Sequence, residues 1–294
     1  MKIENWIKKN TTSLNGKNIA ITGSTGGLAQ QVVKVLASLD ASFIFINRNK
    51  EKTQKQIDEL LSLYHNIKIE FVHCDLSNFE SVKSATKILK QKQVDVLYLS
   101  AGVYNIKRYK TDLGYDNIFQ TNFVAQYYMA KELLKNIKSV DGKIVAVSSI
   151  AHNYSKLDEN DIDFSTRNSQ SKAYGNAKRF LTFSLMELCK KENINLSIVH
   201  PGLTLTEMTN HYPRAINWLV KIFIKLFCPN NKKASLSLIK GVFDSTNYHE
   251  WIGPTFLQVY GKPKKIKLKT SNKSESEKIF EIAEKIYKDI KKED

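Results

Sequence analysis

Short, almost uninterrupted apolar runs alternate with longer stretches of helical spacing along most of this chain, and that alternation leaves few folds open. The runs are KNIAITG (17–23), SFIFINR (42–48), IKIEFVHCD (67–75), DVLYLSAG (95–102), GKIVAVSS (142–149) and INLSIVHPG (194–202). Strands that are apolar on both faces suit a parallel sheet covered on both sides. Between them, AQQVVKVLASL (29–39), EKTQKQIDELLSLY (51–64), FESVKSATKILK (79–90), FQTNFVAQYYMAKELLKNI (119–137) and AKRFLTFSLMELCKK (177–191) carry apolar residues at helical spacing. The pattern predicts an α/β fold, a doubly wound parallel sheet with helices on both faces and right-handed crossovers. TFLQVYG (255–261) adds an expected final strand, and SEKIFEIAEKIYKDIKK (276–292) an amphipathic helix with a cationic end and no assigned chemistry.

The chain has 294 residues, 42% of them hydrophobic, enough for one large core, and its 5 prolines and 12 glycines argue against a long interdomain linker. A single domain is expected over 1–294, with a core at about 17–261, a segment at 209–230 over the site, and a basic extension at 262–294. Cys74, Cys189 and Cys228 form an odd set without CxxC spacing, which suggests neither a disulfide framework nor a metal site and fits a reducing compartment. MKIENWIKKNTTSLNGK lacks the apolar stretch of a secretory leader, so a cytoplasmic protein is expected. The net charge of +16 would suit a polyanion, but the lysines are scattered, with a denser run only in GKPKKIKLKT (261–270). No nucleic-acid-binding signature accompanies them, and no nucleic acid partner is expected.

In such a sheet, ligands bind beyond the carboxyl ends of the strands, near the point where strand order reverses. The first strand runs into TGSTGGLAQ (22–30), where Gly23, Ser24, Thr25, Gly26, Gly27 and Leu28 form a tight turn feeding a helix. Free N–H groups and a positive dipole end there suit a pyrophosphate. After the second strand, Asn47 and Arg48 stand where an acid would favour a free ribose 2′-hydroxyl; an amide and a guanidinium suit a 2′-phosphate instead. NADP(H) is therefore expected over NAD(H). Asp75, followed by Leu76, either receives an adenine amino group or caps the next helix, and the small Ala101 and Gly102 let a cofactor lie against backbone. In KAYGNAKRF (172–180), Tyr174 and Lys178 share one helical face, so phenol and ammonium can converge.

Taken in order, TGSTGGLA, CDLS, SAG, FQTNF, IVAVSSIAH, YGNAK and HPGLTLTE resemble the short-chain dehydrogenase/reductase family, in its branch of retinol dehydrogenases and WW-domain-containing oxidoreductases. The resemblance covers about 17–261 and implies a Rossmann-like fold and alcohol–carbonyl interconversion. It makes Tyr174 the general acid/base and Lys178 the residue that lowers its pKa and holds the nicotinamide ribose hydroxyls. Ser149 would hydrogen-bond the substrate carbonyl or alcohol, and Asn122 would support a water-linked proton relay. Pro201, Gly202 and Thr206 would flank the nicotinamide. The chemistry agrees: a hydride on a carbonyl makes an alkoxide that needs a proton, and a phenol of pKa about 10 needs a cation to exchange it near neutrality. Ala29, Ser100 and Ala146 depart from the family pattern, the first replacing a glycine and the others asparagines. The longer stretch between Ser149 and Tyr174 is expected to form an ordered loop beside the site, with His152 in a structural role.

AINWLVKIFIKLFC (215–228) sets Asn217, Lys221 and Lys225 as a narrow polar stripe on an otherwise apolar surface, too short to span a bilayer. It reads as a lid over an apolar substrate, a peripheral membrane contact or a dimer interface. Both the lid and the membrane reading imply an apolar or lipid-like substrate. A cofactor-binding regulatory or scaffold protein is the alternative to an enzyme.

Overall fold

Burial on both faces turns most of the apolar runs into strands, while the run at Ile69–His73 forms an edge strand with Glu70 and His73 exposed. The structure, a computed structural model, describes residues 3–202, 231–256, 258–270 and 272–292. The strands are β1 (Asn18–Thr22), β2 (Ser42–Asn47), β3 (Ile69–His73), β4 (Val96–Leu99), β5 (Lys143–Val147) and β6 (Asn195–Val199), joined by β7 (Glu250–Phe256) and β8 (Tyr260–Lys267). They form one 8-stranded sheet in the order β3-β2-β1-β4-β5-β6-β7-β8, parallel from β3 to β7. Only the β7–β8 pair is antiparallel. Order reverses between β1 and β4, the switch point of a Rossmann-like sheet.

Alternate residues of each strand feed two cores. Ile19 and Ile21 of β1 join Val32, Val33 and Leu36 of α2 (Gly27–Ala37), Ile57 and Leu60 of α3 (Lys50–Leu63) and Leu236 of the Asn231–Phe243 helix. Ala20 points the other way, toward α4 (Phe79–Leu89), the helical stretch beginning at Asn117, α8 (Gln170–Glu192) and the C-terminal helix Lys273–Lys292.

Three expected boundaries move. The apolar run at 255–261 is a hairpin rather than one strand: β7 starts at Glu250, and Gln258, at φ 59°, turns the chain into β8. In the basic extension after 261, β8 and the C-terminal helix complete the sheet and one core. The pattern at 119–137 divides into α5 (Asn117–Phe119), a π-helical turn (Gln120–Val124), α6 (Ala125–Glu132) and α7 (Leu134–Ser139). Side-chain amides cause the widening: Asn122 donates to the Ile118 carbonyl at 2.8 Å, and Gln126 donates to the Thr121 and Asn122 carbonyls at 3.1 and 3.2 Å. Finally, α8 begins at Gln170, where the Ser169 hydroxyl accepts the Lys172 N–H at 3.4 Å. The earlier helix Ile3–Asn10 (α1) was not anticipated, nor was Asn231–Phe243.

The C-terminal helix lays Ile279, Ala283, Ile286 and Ile290 on the α8 side of the core. Its Glu275 meets the buried Arg179 of α8, the Arg179 Nε donating to it at 2.8 Å, and also accepts the Leu157 N–H at 2.9 Å. Removing that carboxylate leaves a guanidinium in the core with its main partner gone. Glu275→Ala is expected to cost about 3 kcal/mol in urea unfolding, with an unchanged slope. A cost below about 1 kcal/mol would mean that water replaces the carboxylate at Arg179.

Candidate active site

The glycine loop after β1 is shaped by backbone proximity. Gly23 has φ 70°, and a Cβ there would lie 2.9 Å from the Ala101 Cα, so only glycine lets β1 and β4 end this close together. The Gly26 N–H donates to the Gly23 carbonyl at 3.0 Å. Gly26 then enters α2 in extended conformation without a side-chain cap, so the first N–H groups of α2 are left for a ligand. Thr25 and Leu28 flank this turn half-buried. Ser24 behaves differently from a ligand-facing residue. It is fully buried, its N–H donates to Asn47 Oδ1 at 2.9 Å, its hydroxyl donates to Gln56 Oε1 at 2.7 Å, and Asn47 Nδ2 donates to its Oγ at 2.8 Å and to Thr53 Oγ1 at 3.0 Å. Asn47 thus fastens the loop from below, and the groove at the end of β2 is left to Arg48. The Arg48 guanidinium is 69% exposed and stands 3.7 Å from Asp75 Oδ2. Asp75 also accepts the Ser77 N–H at 2.9 Å in a local turn and does not cap the next helix as one expectation had it, because Asn78 is the cap there, accepting the Ser81 N–H at 3.0 Å. Leu76 beside it is buried.

At the ends of β4 and β5 a second set of groups converges. Thr22 Oγ1 accepts the N–H groups of Ser100 and Ala101 at 3.0 Å each, fixing the small-residue turn, and Gly102 remains exposed. A Cβ on Gly102 would lie 2.6 Å from Asn122 Oδ1 and 3.5 Å from Lys178 Nζ, which places those two groups side by side. Asn122 is fully buried in the π turn, accepting the Val103 N–H at 3.2 Å and donating to the Val103 carbonyl at 2.9 Å. Lys178 Nζ donates to the Val147 carbonyl at 2.8 Å and lies 5.9 Å from the centre of the Tyr174 ring. Tyr104 packs edge-on against that ring at 5.1 Å. Ser149, half-buried, ends the segment after β5 and accepts the Ala151 N–H at 3.2 Å.

The electrostatics differ from the sequence expectation in one respect. Burial pushes the Tyr174 phenol up to about 12, with the Ser149 hydroxyl acting the other way, so the phenol holds its proton here and is not poised below its ordinary value. Lys178 is buried with no carboxylate partner among the described residues, and desolvation pushes it down to about 8. The same burial that raises the phenol weakens the cation meant to lower it. His152 is fully buried, Nδ1 donating to the Ser149 carbonyl at 2.7 Å and Nε2 facing Thr270 Oγ1 at 3.2 Å. Its pKa is pushed down to about 4 by burial, which suits a structural role.

Pro201 and Gly202 follow β6, and Gly202, at φ 85°, would place a Cβ 2.2 Å from the Val259 carbonyl. Thr206, Cys228 and the segments 209–230 and 215–228 lie outside the described residues. Sequence reasoning missed Thr22, Gln56 and the Val147 carbonyl. A hydroxyl at the last strand position before Gly23 was the available signal for Thr22. The Val147 contact is backbone and left none.

The short-chain dehydrogenase family model matches residues 17–217. The chain belongs to the short-chain dehydrogenase family. It is an oxidoreductase of that family, the class acting on CH–OH groups. Among relatives, the chloroplastic short-chain dehydrogenase TIC 32 A of Brassica napus is 30% identical over 219 residues, covering 68% of each chain. Human retinol dehydrogenase 13 is 27% identical over 206 residues, covering 68% of this chain and 62% of its own length. L-sorbose reductase from Gluconobacter frateurii, solved with NADPH and L-sorbose, matches in fold with a TM-score of 0.60 at 17% identity, over 79% of this dehydrogenase and 91% of that chain.

Gly102→Ala tests the convergence in this dehydrogenase without touching a side chain. The new methyl must push Asn122 Oδ1 away and break its bond from the Val103 N–H, so the variant is expected to lose about 1–3 kcal/mol of stability. Urea unfolding measures it, and an unchanged midpoint would show that Asn122 moves freely.

Proposed function

We propose that this dehydrogenase interconverts an alcohol and a carbonyl on an apolar or lipid-like small molecule, using NADP(H), with residues 1–294 acting as one catalytic domain. The observation that carries the proposal is the meeting of Ser149, Tyr174, Lys178 and Asn122 at the ends of β4 and β5, beside a glycine turn with free helix N–H groups. A nicotinamide cofactor fits what is there: the exposed Gly102, which has no side chain to keep a ligand off the backbone, and a buried ammonium with one carbonyl partner among the described residues. Gly23, Gly26, Gly27 and the α2 N-terminus would hold its pyrophosphate, Asp75 and Leu76 its adenine, Ala101 and Gly102 its central part, and Lys178 its nicotinamide ribose. Pro201, Gly202 and Thr206 would border the ring. When bound, the cofactor supplies or accepts the hydride.

The chain's own groups then manage the proton. In reduction, the substrate oxygen gains a proton from Tyr174 Oη, which burial keeps protonated at neutral pH. In oxidation the phenol must first be a phenolate, and the charged form of Lys178 favours that state. The Ser149 hydroxyl orients the substrate oxygen, and Asn122 holds the π turn open beside Lys178 for a water relay. Val103, Tyr104 and Ile106 pack against the Tyr174 cluster and offer an apolar wall, in keeping with a retinol dehydrogenase among the relatives. Cys74 and Cys189 are unpaired and buried, which suits a reducing compartment such as the cytoplasm. No helix among the described residues is long and apolar enough to cross a membrane.

Tyr174→Phe removes only the transferable proton. Loss of NADPH absorbance with a panel of apolar aldehydes and ketones should show turnover in the wild type and a fall of about 10²–10⁴-fold in the variant, with NADPH binding retained. Turnover within a few-fold of wild type would withdraw the acid/base role.

Cofactor choice rests on Arg48, whose only ion pair among the described residues is the long contact to Asp75. A bidentate contact to a 2′-phosphate is worth roughly 1.5–3 kcal/mol, and NAD(H) has nothing to replace it. NADP(H) should be preferred by about one to two orders of magnitude in kcat/KM and in affinity measured by nicotinamide fluorescence. Arg48→Ala should erase most of that preference while sparing NADH. Equal use of both cofactors by the wild type would make Arg48 a surface charge only.

A further inference from the structure

The β7–β8 hairpin carries features that the proposed chemistry does not use. Phe256 and Tyr260 face each other across its tip, ring centres 4.6 Å apart, yet they are 52% and 40% exposed. From that tip β8 runs as the open edge of the sheet, and Lys262, Lys264, Lys265 and Lys267 all lie on it exposed, followed by Lys269. None of these lysines has an ion pair among the described residues. Glu250 is the register partner of Lys267, but its carboxylate accepts the Asn247 N–H at 3.2 Å. Lys265 also repels Lys143, whose pKa is pushed down to about 8 first by burial and further by that charge. The edge is thus a row of uncompensated positive charge ending in a solvent-facing aromatic pair.

An edge rich in lysine is disfavoured for pairing with another strand, and Pro263 lacks an N–H to donate. A nucleic acid would use free aromatic faces for stacking, whereas these two rings pack on each other. An anionic lipid surface suits both features: lysines gain from phosphate headgroups, and amphipathic rings settle at the level of the headgroups. Position adds a reason. Gly202 packs so closely on the Val259 carbonyl that the tip lies against the turn after β6, at the carboxyl end of the sheet where the site is built.

We propose that the β7–β8 hairpin docks this enzyme edge-on to an anionic membrane surface, with Phe256 and Tyr260 inserted at the interface and the β8 lysines on the headgroups. This orientation turns the rim of the site toward the lipid. It stands on the hairpin alone and does not depend on the catalytic roles assigned above.

The full chain is sedimented with vesicles of phosphatidylcholine alone or of phosphatidylcholine with a minority of phosphatidylserine. Binding is expected to the anionic vesicles, to weaken in high salt, and to be slight on neutral ones. Replacing Lys262, Lys264, Lys265 and Lys267 by Gln together should lower the partition by roughly 100-fold or more. Phe256→Ser with Tyr260→Ser should lower it by about tenfold or more, with the folded circular-dichroism spectrum retained at the assay temperature. Turnover on a water-soluble carbonyl should stay at the wild-type level in both variants. Absence of binding to anionic vesicles, or binding that both variants keep, overturns the proposal. Preference of the wild type for a DNA duplex over the vesicles overturns it as well, in favour of a nucleic acid.

Discussion

A parallel sheet covered on both faces has no water along its strands, so its polar chemistry is pushed to the strand ends. Every other feature follows from that constraint. The strands β1, β4 and β5 are filled with Ile, Val, Leu and Tyr side chains in two separate cores. The first residues free to do anything else are those just beyond: Gly23 after β1, Arg48 after β2, Asp75 after β3, Ala101 and Gly102 after β4, Ser149 after β5 and Gly202 after β6. The reversal of strand order between β1 and β4 parts the crossovers there, and the glycine turn and the small-residue turn approach within contact distance across the gap. The proposed site lies where the sheet runs out of partners for its backbone.

Within that gap the least comfortable group is Lys178. A charge taken into a buried site is costly unless paired, and here one backbone carbonyl stands in for a counterion. Its depressed pKa and the raised one of Tyr174 have the same origin, the desolvation of both partners. A carboxylate beside Lys178 would hold its charge but would also repel a phenolate. With none beside it among the described residues, both groups stay set chiefly by desolvation, the phenol raised and the ammonium lowered.

Much of this could be read from the chain, and the failures have physical causes. Strands buried on both faces leave continuous apolar runs, so β1, β2 and β4 to β6 were legible, and β3, half-exposed at the sheet edge, still carried Ile69, Phe71 and Val72 to mark it. TFLQVYG was equally apolar but straddles a turn whose only local marks are Gln258 and Gly261 at positive φ, so it read as a strand. The start of α8 and the Asn231–Phe243 helix were obscured because tertiary cover overrides periodicity: residues from Ala173 to Cys189 are buried all round, and Ser235 and Ser237 sit in the core. In the site, the spacing of Tyr174 and Lys178 was legible because a helix fixes it. The ion pair of Arg48 with Asp75 was not, since it arises from the β2–β3 register, which sets Asn47 opposite His73. Nor was the inward turn of Ser24 and Asn47, which only the packing of α3 under the loop decides.

The C-terminal helix shows how far support for the site reaches. Glu275 holds Arg179, the residue next to Lys178, and Arg179 Nη1 donates to the His152 carbonyl at 3.2 Å. His152 in turn holds the Ser149 carbonyl through Nδ1 while its Nε2 faces Thr270, just ahead of that helix. The segment carrying Ser149 is therefore fixed from two sides, by its own return into α8 and by residues more than a hundred positions later in the chain. Gly175 closes the arrangement: a methyl there would sit 2.3 Å from the Ala151 carbonyl, so α8 can press against the Ser149 segment only because Tyr174 is followed by glycine. The last helix, which the sequence left without chemistry, thus belongs to the support that holds Ser149 in line with Tyr174.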